Sequence, residues 1–408
     1  MYRLLAVAIL ATLPLSEQVA RFDNYKVYRI IPDNEQQTEI LAQLGSSDAY
    51  SIWSFGRDGR PIDIMVPPHM NGEFTELIES QGMKASVFIE NVQERIDTEN
   101  PLTADRANSR LGWTSYHRLN VIYDWLRSLE SEYPEYVQVV KGGETYLGRD
   151  ILGVHVSFSP SNRNRAVFLE GGMHAREWIS PATVTYILNE LLTSTDPEVR
   201  AIADSHDWYV FPNSNPDGYE YTHTNNRLWR KTRTRYTAMC YGADPNRNWA
   251  FEWGNGGVSF SPCSETYAGA GAFSEIETQT FSTYISSIVS HLRAYISIHS
   301  YSQLLLLPYG VTGIGKPSNY NQLLTIGRRA ATALKRRYGT EYTVGNLAEV
   351  LYVASGSSFD WVKGTHNVNL TFAFELRDTG RYGFVLPASQ IIPTAEETLD
   401  AVLEILKD

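Results

Sequence analysis

The sequence predicts an α/β protein built from two unequal units, and three observations carry that prediction. The chain has 408 residues, which exceeds the usual size of a single core. Hydrophobic residues make up 43% of it and aromatic residues 12%, which is enough for a large packed interior. From about residue 111 onward, apolar runs typical of buried strands alternate with helix-length segments. We therefore expect a mixed, mostly parallel sheet covered by helices on both faces, preceded by a small α+β unit.

The charge balance restricts the classes of partner. A formal net charge of −11 leaves no general basic field for nucleic acid, although arginines cluster between Arg227 and Arg235. Beyond the N-terminus no segment reaches 18 uninterrupted apolar residues, so no membrane-spanning helix is predicted. We expect no nucleic-acid partner, no membrane partner and a monomer.

Residues 1–16 have the layout of a secretory signal peptide. Arg3 precedes the apolar run Leu4–Leu13, which ends at Pro14 and is followed by small or polar residues. The run is too short to span a membrane, and a buried N-terminal helix is the alternative. The protein is thus expected to be secreted and extracellular.

Secretion affects the expectations for two further sequence features. The only cysteines, Cys240 and Cys263, are expected to form a disulfide in an oxidising compartment, where it would stabilise the fold by roughly 3 kcal/mol. Asn369-Leu370-Thr371 fits the glycosylation sequence, but it lies in the apolar run 368–374. We therefore expect Asn369 to be buried in a strand and to carry no glycan.

The small N-terminal unit is predicted from alternating short strands and two helices, which suit an open sheet with helices on one face. In order, the predicted elements are strand Lys26–Ile31, helix Glu35–Leu44, strand Asp63–Val66, helix Gly72–Gln81 and strand Ala85–Ile89.

The segment from Val92 to Leu111 begins as a polar, helix-prone stretch and then contains Asn100-Pro101 and the basic residues Arg106 and Arg110. This composition is expected of an exposed connector that a trypsin-like protease can cut near Arg106 or Arg110. An ordinary interdomain linker would look the same. The predicted division is 1–16, 17–110 with a globular part at about 22–92, and 111–408.

The larger unit contains eleven predicted elements. They are helix Tyr116–Glu132, strands Val137–Val140, Ile151–Val156 and Val167–Gly171, helix Pro181–Thr193, strand Asp207–Pro212, helix Ser274–Ser290, strand Leu292–Ile298, helix Tyr320–Tyr338, strand Leu370–Glu375 and helix Thr394–Leu406. Ligands of such sheets bind at the carboxyl ends of the strands.

His174-Ala-Arg-Glu177 places two zinc-type ligands three positions apart, just after an apolar strand and the pair Gly171-Gly172. Catalytic zinc commonly takes three protein ligands, of which two are close in sequence and the third is distant. His299, at the end of another apolar strand, is the candidate for the third. An isolated pair of this spacing is more often a solvated pair on a helix, so the interpretation depends on the other motifs.

Two further groups fit chemistry at a metal. Glu375 ends an apolar strand, where burial would raise its pKa and suit it to act as a general base. Asn246-Arg247 and the arginines of the run 225–235 could bind an anionic substrate group or a developing oxyanion. A solvated basic loop would account equally well for many of these arginines.

Taken together, five ordered motifs resemble the zinc metallocarboxypeptidases of the pancreatic A/B type. The motifs are His174-Ala-Arg-Glu177, 225–232, Asp244-Pro-Asn-Arg-Asn-Trp249, 297–303 and 374–383. The similarity covers essentially everything after about residue 111, and the N-terminal part resembles that family's activation segment. The resemblance implies an eight-stranded sheet, an open-sandwich, ferredoxin-like prosegment and one zinc ion per chain.

The resemblance also implies a role for each matching residue. His174, Glu177 and His299 match the zinc ligands, Glu375 the general base and Arg230 the residue that stabilises the oxyanion. Asp244 matches the carboxylate that orients His174.

Other matching residues bind the substrate. Asn246 and Arg247 match the pair that holds the terminal carboxylate, and Tyr352 the residue that closes over it. Arg176 matches a residue of the extended substrate groove, and Tyr301 is also expected to bind substrate. Non-proline cis peptide bonds are implied at Ser300-Tyr301, Pro308-Tyr309 and Arg377-Asp378.

Specificity is predicted from Phe359. The basic-residue branch of the family has an aspartate at the matching position, so Phe359 favours an apolar pocket, as do Leu306, Leu347, Ala354 and Ala373. The sequence thus predicts a secreted zymogen that removes aliphatic or aromatic C-terminal residues from peptides or proteins. Its prosegment would inhibit it until a trypsin-like protease cuts the connector. The alternatives are B-type or other specificity on the same fold, and a binding protein without turnover.

Overall fold

A computed structural model describes residues 19–45, 49–56, 60–101, 110–162 and 165–407. The predicted signal peptide and Arg106 lie outside these ranges, whereas Arg110 is exposed. Among the described residues, no helix combines the length and apolarity needed to cross a bilayer.

The N-terminal unit is a four-stranded antiparallel sheet in the order β2-β3-β1-β4. The five predicted elements are present, and a strand that was not predicted, β2, joins them. The bounds are β1 Lys26–Ile30, α1 Glu35–Leu44, β2 Ser51–Ser54, β3 Ile62–Val66, α2 Asn71–Ser80, β4 Ala85–Ile89 and α3 Val92–Glu99. Asn34 and Asn91 cap α1 and α3 by accepting backbone hydrogen bonds.

Both faces of this small sheet are covered. On one face, Ile64 and the other strand residues whose side chains lie on that face pack against Leu41 of α1 and Phe74 of α2. On the other face, Trp53 and Met65 pack against residues of the larger unit. Because side chains alternate across a strand, β3 is buried along its whole length, and the small unit is fixed to the large one through the face opposite α1 and α2, where Val92 and Ile96 of α3 also pack.

The larger unit contains all eleven predicted elements and several that were not predicted. The bounds are α4 Leu119–Glu132, β5 Val137–Glu144, β6 Asp150–Ser157, β7 Ala166–Gly171, α5 Ile179–Thr193, α6 Pro197–Asp204, β8 Asp207–Phe211, α7 Pro216–Thr224, α8 Ile276–Ile288, β9 Leu292–Ser300, β10 Leu304–Leu307, α9 Tyr320–Tyr338, β11 Thr343–Asn346, α10 Leu347–Val350, α11 Ser358–His366, β12 Leu370–Leu376 and α12 Ile391–Leu406. The elements absent from the prediction are α6, α7, β10, β11, α10 and α11.

The strands form one eight-stranded mixed sheet in the order β11-β10-β12-β9-β7-β8-β6-β5. The central run β12-β9-β7-β8 is parallel, as is the edge pair β10-β11. Strands β5, β6 and β8 pair antiparallel, as do β10 and β12. The predicted mixed, mostly parallel sheet is confirmed.

Helices cover both faces of this sheet. On one face the alternate strand residues Leu169, Ile296 and Phe372 share a core with α4, α5, α9 and α12. On the opposite face Phe168, Tyr295 and Ala373 share a second core with α8 and α11. The strands are therefore apolar on both sides, which is why their sequences read as continuous apolar runs.

Two covalent expectations are confirmed. Cys240 and Cys263 form a disulfide, with their Cα atoms 4.7 Å apart. The peptide bonds Ser300-Tyr301, Pro308-Tyr309 and Arg377-Asp378 are cis.

The prediction that Asn369 is buried in a strand is wrong. β12 begins at Leu370, and Asn369 is exposed. The left-handed residue Asn367 ends α11, and the chain then enters the sheet from its rim, so Asn369 remains outside the covered part of the strand.

Candidate active site

Three adjacent parallel strands end at one rim of the large sheet and supply the site. His174 follows β7, His299 is the penultimate residue of β9, and Glu375 is the penultimate residue of β12. In the register of the sheet His299 pairs with Glu375, and Ile298 pairs with Gly171. The predicted convergence at the carboxyl ends of the strands is therefore present.

His174, Glu177 and His299 form a buried cluster whose candidate ligand atoms all lie within 4.8 Å of one another. His174 Nδ1 lies 2.8 Å from Glu177 Oε1, and His299 Nδ1 lies 3.1 Å from Glu177 Oε2. The two Nδ1 atoms are 3.2 Å apart. Two imidazole nitrogens and a carboxylate directed at one point form the donor set of a catalytic zinc site, so these residues fit a zinc ion.

The carboxylate of Asp244 contacts the side of the His174 ring that faces away from this cluster. It is fully buried, and its Oδ1 lies 3.1 Å from His174 Nε2, so the far side of the imidazole is held while Nδ1 faces the cluster. Arg230 donates to Asp244 Oδ2 from Nη2 at 2.8 Å and from Nε at 3.1 Å. Burial alone would raise the pKa of the Asp244 carboxyl. Its neighbours Arg230, Arg247 and His174 outweigh this effect and hold the pKa well below the usual value.

Glu375 is the part-buried carboxylate beside this cluster. When only the protein's own groups are considered, burial and the Glu177 carboxylate raise the pKa of Glu375 to about 8. The positive charges of His299, Arg230 and Arg247 lower this pKa and so reduce the shift. The strand-end position thus gives Glu375 the raised pKa that its sequence context predicted.

A cavity of about 430 Å³ adjoins the cluster. The predicted site residues on its wall are His174, Arg176, Glu177, Arg230, Arg247, Tyr301, Tyr352 and Glu375. Arg247 donates to Tyr352 Oη at 3.2 Å, and it is anchored by hydrogen bonds to the carbonyl oxygens of Gly257 and Asn246. Asn246 is near the cluster, with its Nδ2 atom 3.5 Å from His299 Nε2.

None of the five predicted apolar pocket residues lines this cavity. Phe359, Leu306 and Ala354 are each 1% exposed and belong to the core on the α8/α11 face of the sheet. The structure therefore groups them with Leu347 and Ala373 in one core cluster, which also contains the cavity-lining residue Leu351.

The activation-segment side of the cavity includes residues that the sequence analysis missed. Residues of β2 and its flanks line the same cavity as His174: Tyr50, Ile52, Trp53, Ser54 and Phe55. The Phe55 ring packs on Tyr352 with centroids 5.0 Å apart, and Trp53 packs on Phe384 at 5.3 Å. The adjacent apolar residues Ile52 and Trp53 were the available signal, but the strand has only four residues and does not alternate.

The predicted groove residues Arg176 and Tyr301 both contact the N-terminal unit. Tyr301 Oη donates to Asp63 Oδ2 at 3.0 Å, and Arg29 forms a bidentate pair with the same carboxylate. Arg176 donates to Glu265 at 3.1 Å, and the other oxygen of Glu265 accepts from Ser51 at 3.0 Å. Glu265 is a further residue of the cavity wall that was not predicted from the sequence.

A buried ion pair joins α3 to the larger unit. Arg227 donates to both carboxylate oxygens of Glu99, at 2.6 and 2.8 Å, and the two side chains are 6% and 2% exposed. Arg227 also donates to the carbonyl oxygens of Arg176 and Phe384. The end of α3 is therefore attached beside the cavity, immediately before the connector.

Two family profiles match separate parts of the chain. The sequence profile of the zinc carboxypeptidase family matches residues 122–401. The profile of the carboxypeptidase activation peptide matches residues 28–99.

Individual relatives cover nearly the whole chain. Zinc carboxypeptidase A 1 of Anopheles gambiae is 48% identical over 410 residues, covering 99% of this chain and 94% of the relative. Carboxypeptidase A1 of Bos taurus is 39% identical, covering 95% of this chain and 94% of the relative.

A similar solved structure is that of carboxypeptidase A from Helicoverpa armigera, with a TM-score of 0.86 and 30% identity over 94% of this chain and 97% of that one. Because the family profiles and these relatives cover both units, the chain belongs to the zinc carboxypeptidase family and is an A-type zymogen with an activation peptide.

Proposed function

We propose that His174, Glu177 and His299 hold the zinc ion of this carboxypeptidase and that Glu375 is its general base. The convergence of the three buried ligand groups, two of which line the cavity, carries this proposal. When bound there, zinc supplies a Lewis acid that polarises the scissile carbonyl and lowers the pKa of water.

Glu375 is positioned to move the protons of the reaction. One of its carboxylate oxygens accepts a proton from the attacking water, and the resulting carboxylic acid then donates that proton to the leaving amine. Arg230 keeps its charge because Asp244 accepts from it, so its guanidinium can stabilise the negative charge that develops on the carbonyl oxygen. Asp244 holds the His174 imidazole in one orientation.

Arg247, Asn246 and Tyr352 are proposed to select the end of a peptide. A guanidinium and an amide recognise a terminal carboxylate, a group that internal peptide bonds lack. The existing hydrogen bonds of Arg247 to Gly257 and Asn246 fix its side chain and leave it on the cavity wall. Tyr352 would close over the bound carboxylate, and Arg176 and Tyr301 would contact the preceding residues of the peptide.

The proposed specificity is for aliphatic or aromatic C-terminal residues. Phe359, Leu306 and Ala354 form an apolar group, and the neighbouring Asp360 does not change this because it is 1% exposed and accepts from the Gly310 amide at 2.6 Å. Burial raises the pKa of Asp360 to about 7, so its carboxyl is a poor fixed anion for a basic substrate side chain. This supports A-type over B-type specificity.

The activation segment is proposed to block the cavity in the intact chain. Residues of β2 line the same cavity as His174, and Asp63 holds Tyr301, which is one of the proposed substrate contacts. Cleavage by a trypsin-like protease near Arg106 or Arg110 would then free the site, and the exposure of Arg110 supports that position. We also propose that the protein is secreted and acts as a monomer, and the disulfide agrees with an oxidising compartment.

One experiment tests the activity, the activation and the specificity together. The full chain is treated with trypsin for increasing times, the large fragment is sequenced from its N-terminus, and kcat/KM is measured on peptides that end in Phe, Leu, Lys and Glu. We expect activity to appear as the fragment beginning near residue 107 or 111 accumulates, with Phe or Leu favoured. Faster release of Lys would contradict the proposed specificity, and absence of any turnover would contradict the proposed activity.

A further inference from the structure

Asn369 begins the only Asn-X-Ser/Thr sequence in the chain, Asn369-Leu370-Thr371. The site described above makes no use of it. The structure places this asparagine on the surface, although the sequence predicts that it is buried. A bulky, hydrated oligosaccharide needs such a surface position.

The hydrogen bonds of Asn369 leave its reactive atom accessible. Asn319 donates from Nδ2 to the backbone oxygen of Asn369 at 3.0 Å and to its Oδ1 at 3.2 Å. The Nδ2 atom of Asn369, where an N-linked sugar attaches, makes no hydrogen bond to any described residue. A substituent on Nδ2 therefore keeps both contacts with Asn319.

The buried threonine of the sequence does not oppose modification. Thr371 is fully buried and donates to the Val368 carbonyl oxygen at 3.1 Å. Oligosaccharide transfer acts on the extended chain before it folds, so the acceptor sequence is still open at that stage. After folding, only Asn369 has to accommodate the sugar.

The position of Asn369 separates it from the active site. Asn369 precedes β12 and Glu375 lies near the other end of that strand, so six residue steps, or about 20 Å, separate them. Described residues of the small N-terminal unit line the cavity and pack with Tyr301, at the rim that holds Glu375. A sugar at Asn369 would leave both the cavity and the activation segment uncovered.

We infer that Asn369 carries an N-linked oligosaccharide, because the residue is exposed and its Nδ2 atom makes no hydrogen bond to a described residue. In the transfer, Nδ2 forms a bond to the anomeric carbon of a lipid diphosphate-linked oligosaccharide. The bond between that carbon and the diphosphate oxygen breaks, the lipid diphosphate leaves, and the amide nitrogen loses one proton. This inference rests on the proposed export of the protein, because the donor lies in the secretory compartment.

The test expresses the full chain in insect cells and compares it with Asn369→Gln and with the control Asn321→Gln, which changes another exposed asparagine outside any acceptor sequence. Medium and cell fractions are treated with peptide N-glycosidase and separated by electrophoresis. Mass spectrometry of the tryptic peptide 364–377 then shows whether the enzyme has converted residue 369 to aspartate. Activity after trypsin treatment is measured for all three chains.

We expect the wild type and Asn321→Gln to gain mobility on glycosidase treatment, and Asn369→Gln to migrate at the deglycosylated position without it. Activated Asn369→Gln should keep the wild-type kcat/KM. A wild-type chain that is secreted but insensitive to the glycosidase would overturn the inference. If the chain stays in the cells, a glycosidase-sensitive pool would support the modification and show entry into the secretory compartment without release, whereas an insensitive pool would overturn both the modification and the proposed export.

Discussion

His299 and Glu375 are direct register partners on the adjacent parallel strands β9 and β12. The sheet therefore sets the distance between a proposed zinc ligand and the proposed general base, and no flexible loop separates them. Residues on rigid elements keep a fixed geometry more reliably than residues on loops. The division of roles between these two side chains leads to the first prediction.

Glu375→Gln should abolish proton transfer while the metal site stays intact. We expect kcat to fall by at least about 100-fold, because the amide cannot accept the proton of the attacking water. Zinc content should be unchanged, since Glu375 is not one of the clustered ligands. The control Glu198→Gln alters an acid whose side chain is 59% exposed, and it should keep wild-type kinetics. An active Glu375→Gln enzyme would rule out the assigned base.

Arg247→Lys should weaken the recognition of the terminal carboxylate. A lysine cannot reproduce the two-pronged guanidinium contact, so we expect kcat/KM on a free-acid peptide to fall roughly 10- to 100-fold. The same peptide with a C-terminal amide should be a poor substrate for both enzymes, and the preference for the acid should shrink in the variant. Arg235→Lys changes an exposed arginine and serves as the control. An undiminished acid-to-amide ratio would contradict the role of Arg247.

Glu99→Gln should loosen the activation segment. The change removes the charge that balances buried Arg227, which we expect to weaken docking by about 2 kcal/mol. The uncleaved variant should therefore show more activity than the uncleaved wild type. Because the proposed cut removes residue 99, both chains should yield the same mature enzyme with the same kcat/KM.

The exposed pair Arg21–Asp23 supplies the control for this comparison, and Asp23→Asn should leave the uncleaved activity unchanged. Equal activity of uncleaved wild type and Glu99→Gln would show that the Glu99–Arg227 pair does not maintain the block.

The buried imidazole of His206 should make the free energy of unfolding depend on pH. Burial lowers the pKa of His206 to about 4, although a hydrogen bond to the Ile202 carbonyl oxygen opposes this, and Nε2 has no partner among the described residues. Between pH 4 and the ordinary value of 6.5 the unfolded chain binds a proton that the folded chain does not. The contribution of His206 to stability is therefore complete above pH 6.5 and is lost as the pH falls toward 4.

Urea unfolding of the wild type and His206→Gln at several pH values checks this dependence. Relative to the variant, the wild type should lose roughly 2 kcal/mol of stability between pH 7 and pH 4.5. The two chains share all proposed metal ligands, so the comparison cancels metal release at low pH. A constant difference between the chains across this range would contradict the prediction.

The sequence was informative where the chemistry depends on strand ends. Long apolar runs identified β7, β9 and β12, and the residues that follow such runs in a parallel sheet converge at one rim. This is why His174, His299 and Glu375 could be placed together without a structure. Asp244 was assigned from the family resemblance, and its contact with His174 Nε2 agrees with that assignment.

The missed elements are short or depend on distant contacts. Asp196-Pro197 and Asn215-Pro216 carry the cap and first-turn proline that begin α6 and α7, so those helices could have been predicted. By contrast β2 has four residues, and its Trp53 is buried only because the larger unit supplies Phe384. Burial produced by another unit leaves no periodic pattern in the local sequence. The exposed position of Asn369 was missed because the whole apolar run 368–374 was taken as buried strand, whereas β12 begins at Leu370.

Measuring the activity as a function of the zinc bound per chain tests the central claim most directly. The trypsin-treated chain is dialysed against a chelator, zinc is added back in measured amounts, and bound metal and hydrolysis of a Phe-ended peptide are followed together, with His299→Ala in parallel. We predict that activity disappears with the metal and returns linearly up to one zinc per wild-type chain, while the variant neither retains the metal nor recovers. Full hydrolysis by metal-free enzyme would contradict the assignment of His174, Glu177 and His299 as the catalytic metal site.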